Sequence, residues 1–275
     1  MLGRVCVACG AISLLFSAAT VAAQPPLEPI GKWDLDYGEA QCIAVRDYGS
    51  AENPISFAIR PAPNGETFEL LIARKTSGPR FAQELEGSVD FGGGPNKAWL
   101  LHYELRTKNL DVYQFRISAV EMAEARSAHA VTLRIKGAPD FAFELDSIPQ
   151  LLDGLDACTA DLKRYWNIDD AKQAKQEPVG KSARGDVRTI FTANDYPTEA
   201  SSRHQQGQSQ FLLLVDEKGH VAGCHVVVAS GVPALDAMGC QVIQERAKFT
   251  PATDNSGKPV RSSVITPPIR WQMEG

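Results

Sequence analysis

Residues 210–221 read QFLLLVDEKGHV, and residues 224–236 read CHVVVASGVPALD. The first stretch fills a strand with apolar residues and ends in the turn DEKG, where Gly219 can adopt a positive φ. The second stretch supplies the returning strand and then a helix that begins at Pro233, with Asp236 in its first turn. Together they predict a β-hairpin crossed by a helix.

The sequence on either side of this hairpin completes a small domain. DYPTEA precedes it at 195–200, and AKFTPATDNSGKPV follows it at 247–260. A last strand is predicted to run from about Val260 to Gln272. The order of hairpin, helix and closing strand predicts a three-stranded antiparallel sheet covered by helices.

This segment, residues 187–275, resembles the C-terminal domain of the TonB energy-transducer family. The positions that carry the resemblance are Tyr196-Pro197, Gly219, Ser230-Gly231, Leu235-Asp236, Phe249, Pro251-Ala252, Gly257, Pro259-Val260 and Trp271. Nearly all of them are turn and core residues, so they identify the fold and not a reaction. The resemblance implies a domain that binds peptide segments of partner proteins, catalyses nothing and holds no cofactor.

Peptide binding by strand addition requires an exposed strand edge, and the last strand is the candidate. Pro267 and Pro268 remove two backbone donors from it, which limits pairing along this edge. The candidate docking residues are Val260, Ser262, Val264, Ile265, Ile269 and Trp271.

A second apolar face is predicted on the same sheet. Leu212 and Leu214 alternate with the core residues of their strand, and Val227 does so on the next strand. Because helices cover only one side of such a sheet, these residues form a candidate interface. The cover could be the N-terminal domain, a second copy of the chain or a partner protein. Family members are known to pair through their sheets, so the resemblance makes a homodimer one expectation.

The N-terminus is typical of an export signal. Arg4 precedes an apolar run from Val5 to Val21, and small residues at 21–23 predict cleavage before Gln24. The alternative is a retained membrane anchor, although the run is shorter than the roughly 20 residues that a spanning helix needs. We therefore expect residues 1–23 to be removed and the mature chain to be periplasmic.

Residues 24–166 are predicted to form a β-rich domain. Short apolar alternations such as Phe68, Leu70 and Ile72 indicate antiparallel strands with one solvent-facing side. A helix at 147–166 is expected to close this domain, with Ser147 as its N-cap. A polar linker at 167–186 follows, so the chain is of the α+β class with two domains.

Four cysteines remain after the signal segment, and in an exported chain an even number indicates disulfides. Three pairings are possible. Domain boundaries favour pairing Cys42 with Cys158 and Cys224 with Cys240, because each bond then closes within one domain.

Composition and motifs argue against nucleic-acid binding, a metal site and nucleophilic catalysis. A net charge of −5 without a basic run argues against nucleic acid. The histidines and cysteines lack metal-ligand spacing, and no nucleophile motif is present.

The sequence therefore predicts a non-enzymatic envelope protein of a Gram-negative bacterium. Its expected partner is an envelope protein or peptide segment, such as one from an outer-membrane protein. One alternative is an envelope enzyme with its site in the N-terminal sheet. Another is a transport energiser of the TonB type, if the N-terminal segment is retained as an anchor.

Overall fold

The structure, a computed structural model, describes most of the chain after the predicted signal segment. The described residues are 25–76, 83–105, 108–168 and 183–273. The predicted signal peptide at 1–23 and most of the predicted linker at 167–186 lie outside them.

Within the described residues, nine strands form one antiparallel sheet in the order β1-β2-β3-β4-β7-β6-β5-β8-β9. The strands are β1 Asp34–Tyr37, β2 Cys42–Ser50, β3 Asn53–Pro61, β4 Thr67–Lys75, β5 Gln83–Asp90, β6 Asn96–Leu105, β7 Leu110–Ser118, β8 Ala130–Ile135 and β9 Phe141–Glu144. Phe68, Leu70 and Ile72 of β4 are buried at alternate positions, as the period-two pattern predicts.

The sheet curls so far that residues 27–30 bridge β9, the last strand in this order, and β2, the second strand. The Leu27 amide donates to the Ala142 carbonyl in β9 at 2.7 Å, and the Ile30 amide donates to the Asp47 carbonyl in β2 at 2.8 Å. The result is a half-barrel with one continuous concave core, called the barrel below. The sequence pattern predicted the strands but not this closure.

Two helices accompany the barrel, α1 at Ala119–Glu124 and α2 at Ile148–Tyr165. The apolar stripe of α2 packs into the concave core. The buried stripe consists of Ile148, Leu151, Leu152, Leu155, Cys158 and Leu162. A disulfide joins Cys158 to Cys42 on β2 across 116 residues of sequence, which is one of the two bonds that the sequence favours.

The start of α2 differs from the expectation. Ser147 precedes the helix, but its φ of 54° is left-handed and its side chain makes no capping hydrogen bond. The predicted side-chain cap is therefore wrong, although the Ser147 carbonyl accepts from the Leu151 amide at 3.0 Å. In α1 the capping box is complete, since Ser118 and Glu121 satisfy each other's backbone amides.

The C-terminal part forms a separate sheet around the long strand β10. Its elements are α3 Thr198–Ser202, β10 Gly207–Val215, β11 Val221–Val228, α4 Pro233–Arg246, β12 Ala252–Thr253, β13 Pro259–Val260, β14 Ser262–Ile265 and β15 Ile269–Trp271. Strand β11 pairs with one side of β10, and β14 and β15 pair with the other, all antiparallel. This arrangement is called the C-terminal sheet below.

The predicted closing strand from Val260 to Gln272 is in fact three short strands. Pro267 and Pro268 supply no backbone donors, so the ladder with β10 stops between β14 and β15. Thr266 holds the break in place, because its amide donates to the Phe211 carbonyl at 2.9 Å and its Oγ1 accepts from the Phe211 amide at 3.1 Å.

Helix α4 covers one face of the C-terminal sheet at close range. A Cβ added to Gly239 would lie 2.4 Å from the Phe211 ring, so only glycine allows this approach without displacing the ring. The second disulfide joins Cys224 on β11 to Cys240 on α4, again as the sequence favours. Ala183 already packs in this core, although it falls within the predicted linker.

Candidate functional site

Strand β14 is an edge strand of the C-terminal sheet. On one side β14 pairs with β10, from Leu212 opposite Ile265 to Val215 opposite Ser262. In the part of the chain that the structure describes, no strand pairs with its other side. Four residues at about 3.3 Å each give roughly 13 Å of backbone that an extended peptide could join.

The six candidate docking residues fall into three groups. Val260 belongs to β13 and pairs with Ala252, outside the β10 ladder. Ser262, Val264 and Ile265 form most of β14, and all three are half-buried.

Ile269 and Trp271 are buried core residues. The Trp271 ring packs edge-on against Phe191 and Tyr196, and its Nε1 donates to Ser209 Oγ at 3.3 Å. Their side chains therefore pack in the core of the domain, and only their backbone could contact a docked peptide.

The other face of the C-terminal sheet rests against the barrel. Leu212 and Leu214 are both fully buried, and Leu214 is part of the barrel's own apolar core. The sequence left three candidates for what covers this face: the N-terminal domain, a second copy of the chain or a partner protein. In the structure the barrel packs on Leu214. Because Leu213 between them packs in the core beneath α4, strand β10 is buried on both faces.

Val227 differs from these two leucines. The register passes from Gln210 opposite Val228 to Phe211 opposite Val226, so Val227 is the extra residue of a β-bulge. It is half-buried and has no partner across the ladder. The simple alternation from which its face was predicted does not hold through a bulge.

Comparison with known proteins gives the same fold for this segment. Residues 192–273 match the family model of the Gram-negative bacterial TonB protein C-terminal. The expected resemblance is therefore confirmed for these residues, which are called the TonB-like domain from here on. No curated protein and no solved structure matches the chain at a significant level. The matched family is a protein-interaction domain of the cell envelope and is not catalytic.

The TonB-like domain meets the barrel at a row of polar side chains on the convex face. Arg60 on β3 lies opposite Glu69 on β4, Glu69 lies opposite Arg116 on β7, and Arg116 lies opposite Trp99 on β6. This row of four neighbours across four strands is called the cross-strand row. Its members contact one another laterally, so it forms a continuous polar stripe under β11 and α4.

The contacts within the cross-strand row are close. Arg60 donates to Glu69 through Nε at 2.7 Å and through Nη2, and Gln114 donates to the other Glu69 oxygen at 2.7 Å. The Arg116 guanidinium lies 4.3 Å from the centre of the Trp99 ring. Burial pushes the pKa of Glu69 upward, but the charges of Arg60 and Arg116 outweigh this and hold that pKa below its usual value.

Two titratable groups of the TonB-like domain lie against this row. Burial lowers the pKa of His225 on β11 to about 4, although nearby Glu69 opposes the shift, so the ring is neutral at pH 7. Burial also raises the pKa of Asp236 in α4, although the hydrogen bonds from Ser230 act to lower it. In both cases burial is the largest cause of the pKa shift.

A second contact fastens the end of α2 to the C-terminal sheet. The Arg261 guanidinium lies 4.0 Å from the centre of the Tyr165 ring, and the Asn167 side-chain amide donates to the Arg261 carbonyl at 2.8 Å. Arg261 also pairs with Glu217 in the β10–β11 turn at 3.1 Å. Two patches of contact thus orient the TonB-like domain on the barrel.

The barrel also contains a buried pair of titratable side chains. His102 lies 3.5 Å from Asp111 and stacks on Tyr113, and all three are buried inside the barrel. Within the described ranges, no group of three His, Cys, Asp or Glu side chains could hold a metal ion. Nor does any helix there have both the length and the apolar character that membrane crossing requires.

Sequence reasoning did not identify the cross-strand row. Its members occupy outward positions of alternating strands, which is the ordinary pattern of a solvated sheet face. Only the pairing register of the strands could have shown that these residues are neighbours. Glu69 and Arg116 are 47 residues apart in sequence and become neighbours only because β4 pairs with β7.

Proposed function

We propose that this chain is an exported periplasmic protein whose TonB-like domain binds an extended segment of another envelope protein. The observation that carries the proposal is that β14 is an edge strand, which among the described residues pairs with a strand on one side only, in a segment that matches the TonB C-terminal family model. Backbone hydrogen bonds to β14 would supply affinity, and side chains at alternate positions of the bound segment would supply specificity.

The proposed organisation is a signal peptide at 1–23, a β-rich domain at 24–166, a linker at 167–186 and a TonB-like domain at 187–275. Two separate apolar cores support this division, one inside the barrel and one beneath α4. The packing of Ala183 suggests that the ordered second core begins slightly before the proposed boundary.

We further propose that the chain does not transduce energy and is not an enzyme. An energy transducer of this family needs a membrane-anchored N-terminus and a long spacer, whereas here a barrel occupies the region before the TonB-like domain. The barrel holds the TonB-like domain in one orientation, which is consistent with an adaptor that presents one edge of its sheet to a partner protein. The barrel covers Leu214, so a homodimer through that face would need the two units to separate.

Site-specific photo-crosslinking tests the docking edge. A photoreactive residue replaces Arg270, an exposed residue of β15 on the docking side of β10. The matched control replaces Val228, an exposed residue of β11 on the opposite side. We expect adducts from position 270 that map to one short segment of an envelope protein. Equal adducts from both positions, or none from 270, would contradict the proposal.

A further inference from the structure

His225 lies where the TonB-like domain meets the barrel. It belongs to β11 and pairs opposite Leu212, so its ring is on the barrel-facing side of the C-terminal sheet. The charged groups that act on the ring are Arg60, Glu69 and Arg116, and all three belong to the cross-strand row of the barrel. This contact between the cross-strand row and β11 is called the joint.

The two ring nitrogens of His225 have different surroundings. The ring is hydrogen-bonded to the backbone of Ala40, in the connection between β1 and β2 of the barrel. Nε2 has no hydrogen-bond partner among the described residues and is shielded from solvent, so the bond to Ala40 uses Nδ1. A Cβ added to Gly223 would lie 3.3 Å from Nε2 and 3.0 Å from a methyl carbon of Leu214. A proton added at Nε2 would therefore place a charged N–H beside apolar groups, without an acceptor.

Separation of the two units would return the His225 ring to water. Ala40 and the three charged groups all belong to the barrel, so they would leave the ring together. Burial is the largest cause of the low pKa of His225, and Arg60 and Arg116 lower that pKa further, while Glu69 acts to raise it. Between pH 6.5 and about pH 4 the separated form therefore binds a proton that the docked form does not bind, so acid favours separation.

Two further carboxyl groups border the space between the barrel and the TonB-like domain, Glu39 beside Ala40 and Asp236 in the first turn of α4. Burial raises the pKa of Asp236, so the docked form takes up a proton there in acid, and Asp236 acts against His225. The pKa of Glu69 lies below its usual value because of Arg60 and Arg116, so Glu69 stays charged at pH 4.5 and above. The test must therefore separate His225 from Asp236.

We propose that His225 makes the joint an acid-sensitive switch, in which protonation of its ring releases the TonB-like domain from the barrel while both units stay folded. Each unit has its own apolar core and its own disulfide, which supports separation without unfolding. Release uncovers Leu214 and frees the TonB-like domain from the orientation that the barrel imposes. The switch is independent of peptide docking at β14, so either proposal can fail without the other.

Thiol reactivity in the full mature chain tests the switch. In Leu214→Cys the new thiol is covered by the barrel, and in Leu213→Cys it lies in the core beneath α4. Each variant reacts with 4,4′-dithiodipyridine at pH 7 and at pH 4.5, and its rate is divided by that of an unstructured peptide thiol at the same pH. We expect the relative rate of Leu214→Cys to rise by up to about fiftyfold at pH 4.5, as the lowered pKa of His225 allows. That of Leu213→Cys should change by less than about threefold, because the TonB-like domain stays folded.

Three second substitutions identify the titrating group. His225→Gln keeps a side-chain donor for Ala40 but cannot gain a charge, so the rise at Leu214→Cys should disappear. The rise should persist in His220→Gln, the matched control in the exposed β10–β11 turn, and should persist or grow in Asp236→Asn.

The reporter has a substitute on the same strand. Leu212→Cys, at a fully buried position opposite His225, replaces Leu214→Cys if that variant does not fold. Four results would each overturn the proposal: no rise at the reporter, an equal rise at position 213, a rise that persists in His225→Gln, or a rise that is lost in Asp236→Asn.

Discussion

Neighbouring leucines on β10 provide a sharp test of how the two units are joined. Leu213 and Leu214 are both fully buried, but Leu213 packs beneath α4 and Leu214 packs against the barrel. Truncating a buried leucine to alanine costs about 2–5 kcal/mol. In the full chain we therefore expect Leu213→Ala and Leu214→Ala each to lower the free energy of opening of β10 by about 3 kcal/mol.

The two variants should separate in a fragment that contains only residues 183–275. There Leu214 faces solvent, so Leu214→Ala should cost about 0.5 kcal/mol or less, whereas Leu213→Ala should still cost about 3 kcal/mol. Native-state hydrogen exchange of the β10 amides measures this opening in both contexts. If Leu214→Ala costs as much in the fragment as in the full chain, the barrel is not what buries this face.

Three further predictions concern pH, disulfides and processing. The pKa of His225 is lowered from 6.5 to about 4 in the folded chain. Between pH 6.5 and pH 4 the unfolded chain therefore binds the proton and the folded chain does not, so the free energy of unfolding should fall as the pH drops through this range. The loss should be at most about 3 kcal/mol, and solvent screening would reduce it. In thermal unfolding His225→Gln should lack this loss, whereas the exposed His220→Gln should retain it. In the chain-entropy model, replacing both Cys42 and Cys158 by alanine should lower the free energy of unfolding by about 5 kcal/mol, because this disulfide closes a loop of 116 residues. Replacing both Cys224 and Cys240 should lower it by only about 3 kcal/mol, because that loop spans 16 residues. Denaturant titration that ranks the two losses the other way would contradict this. Mass spectrometry of protein from the native envelope should find a mature N-terminus at Gln24, and an intact Met1 in the membrane fraction would contradict it.

Local patterns in the sequence predicted most of the elements. The alternation of Phe68, Leu70 and Ile72 marks a strand whose concave side is buried, and the stripe of α2 marks a helix with one buried face. The cysteine pairings follow from the same reasoning, since each pair joins a strand to the helix that covers it. Each of these features depends on residues within one element or within one domain.

Features that arise between elements were missed. The closure of the barrel by residues 27–30 uses backbone bonds, which carry no side-chain signal. A bulge at Val227 interrupts the alternation from which its face was predicted, and the Ser147 side chain does not cap α2, where the Ser147 backbone is left-handed. The contact between the cross-strand row and the TonB-like domain depends on how two separately folded sheets dock, so neither sheet's pattern records it.

Hydrogen exchange of the β14 amides tests whether a partner segment pairs with this edge of the sheet. The peptide identified by crosslinking at position 270 is synthesised and added to the full mature chain, and exchange is followed at residues 262–265. We predict that exchange within β14 slows on binding, because the peptide adds a strand along this edge of the sheet. Protection confined to β11 or to the joint with the barrel, with β14 unchanged, would contradict the account.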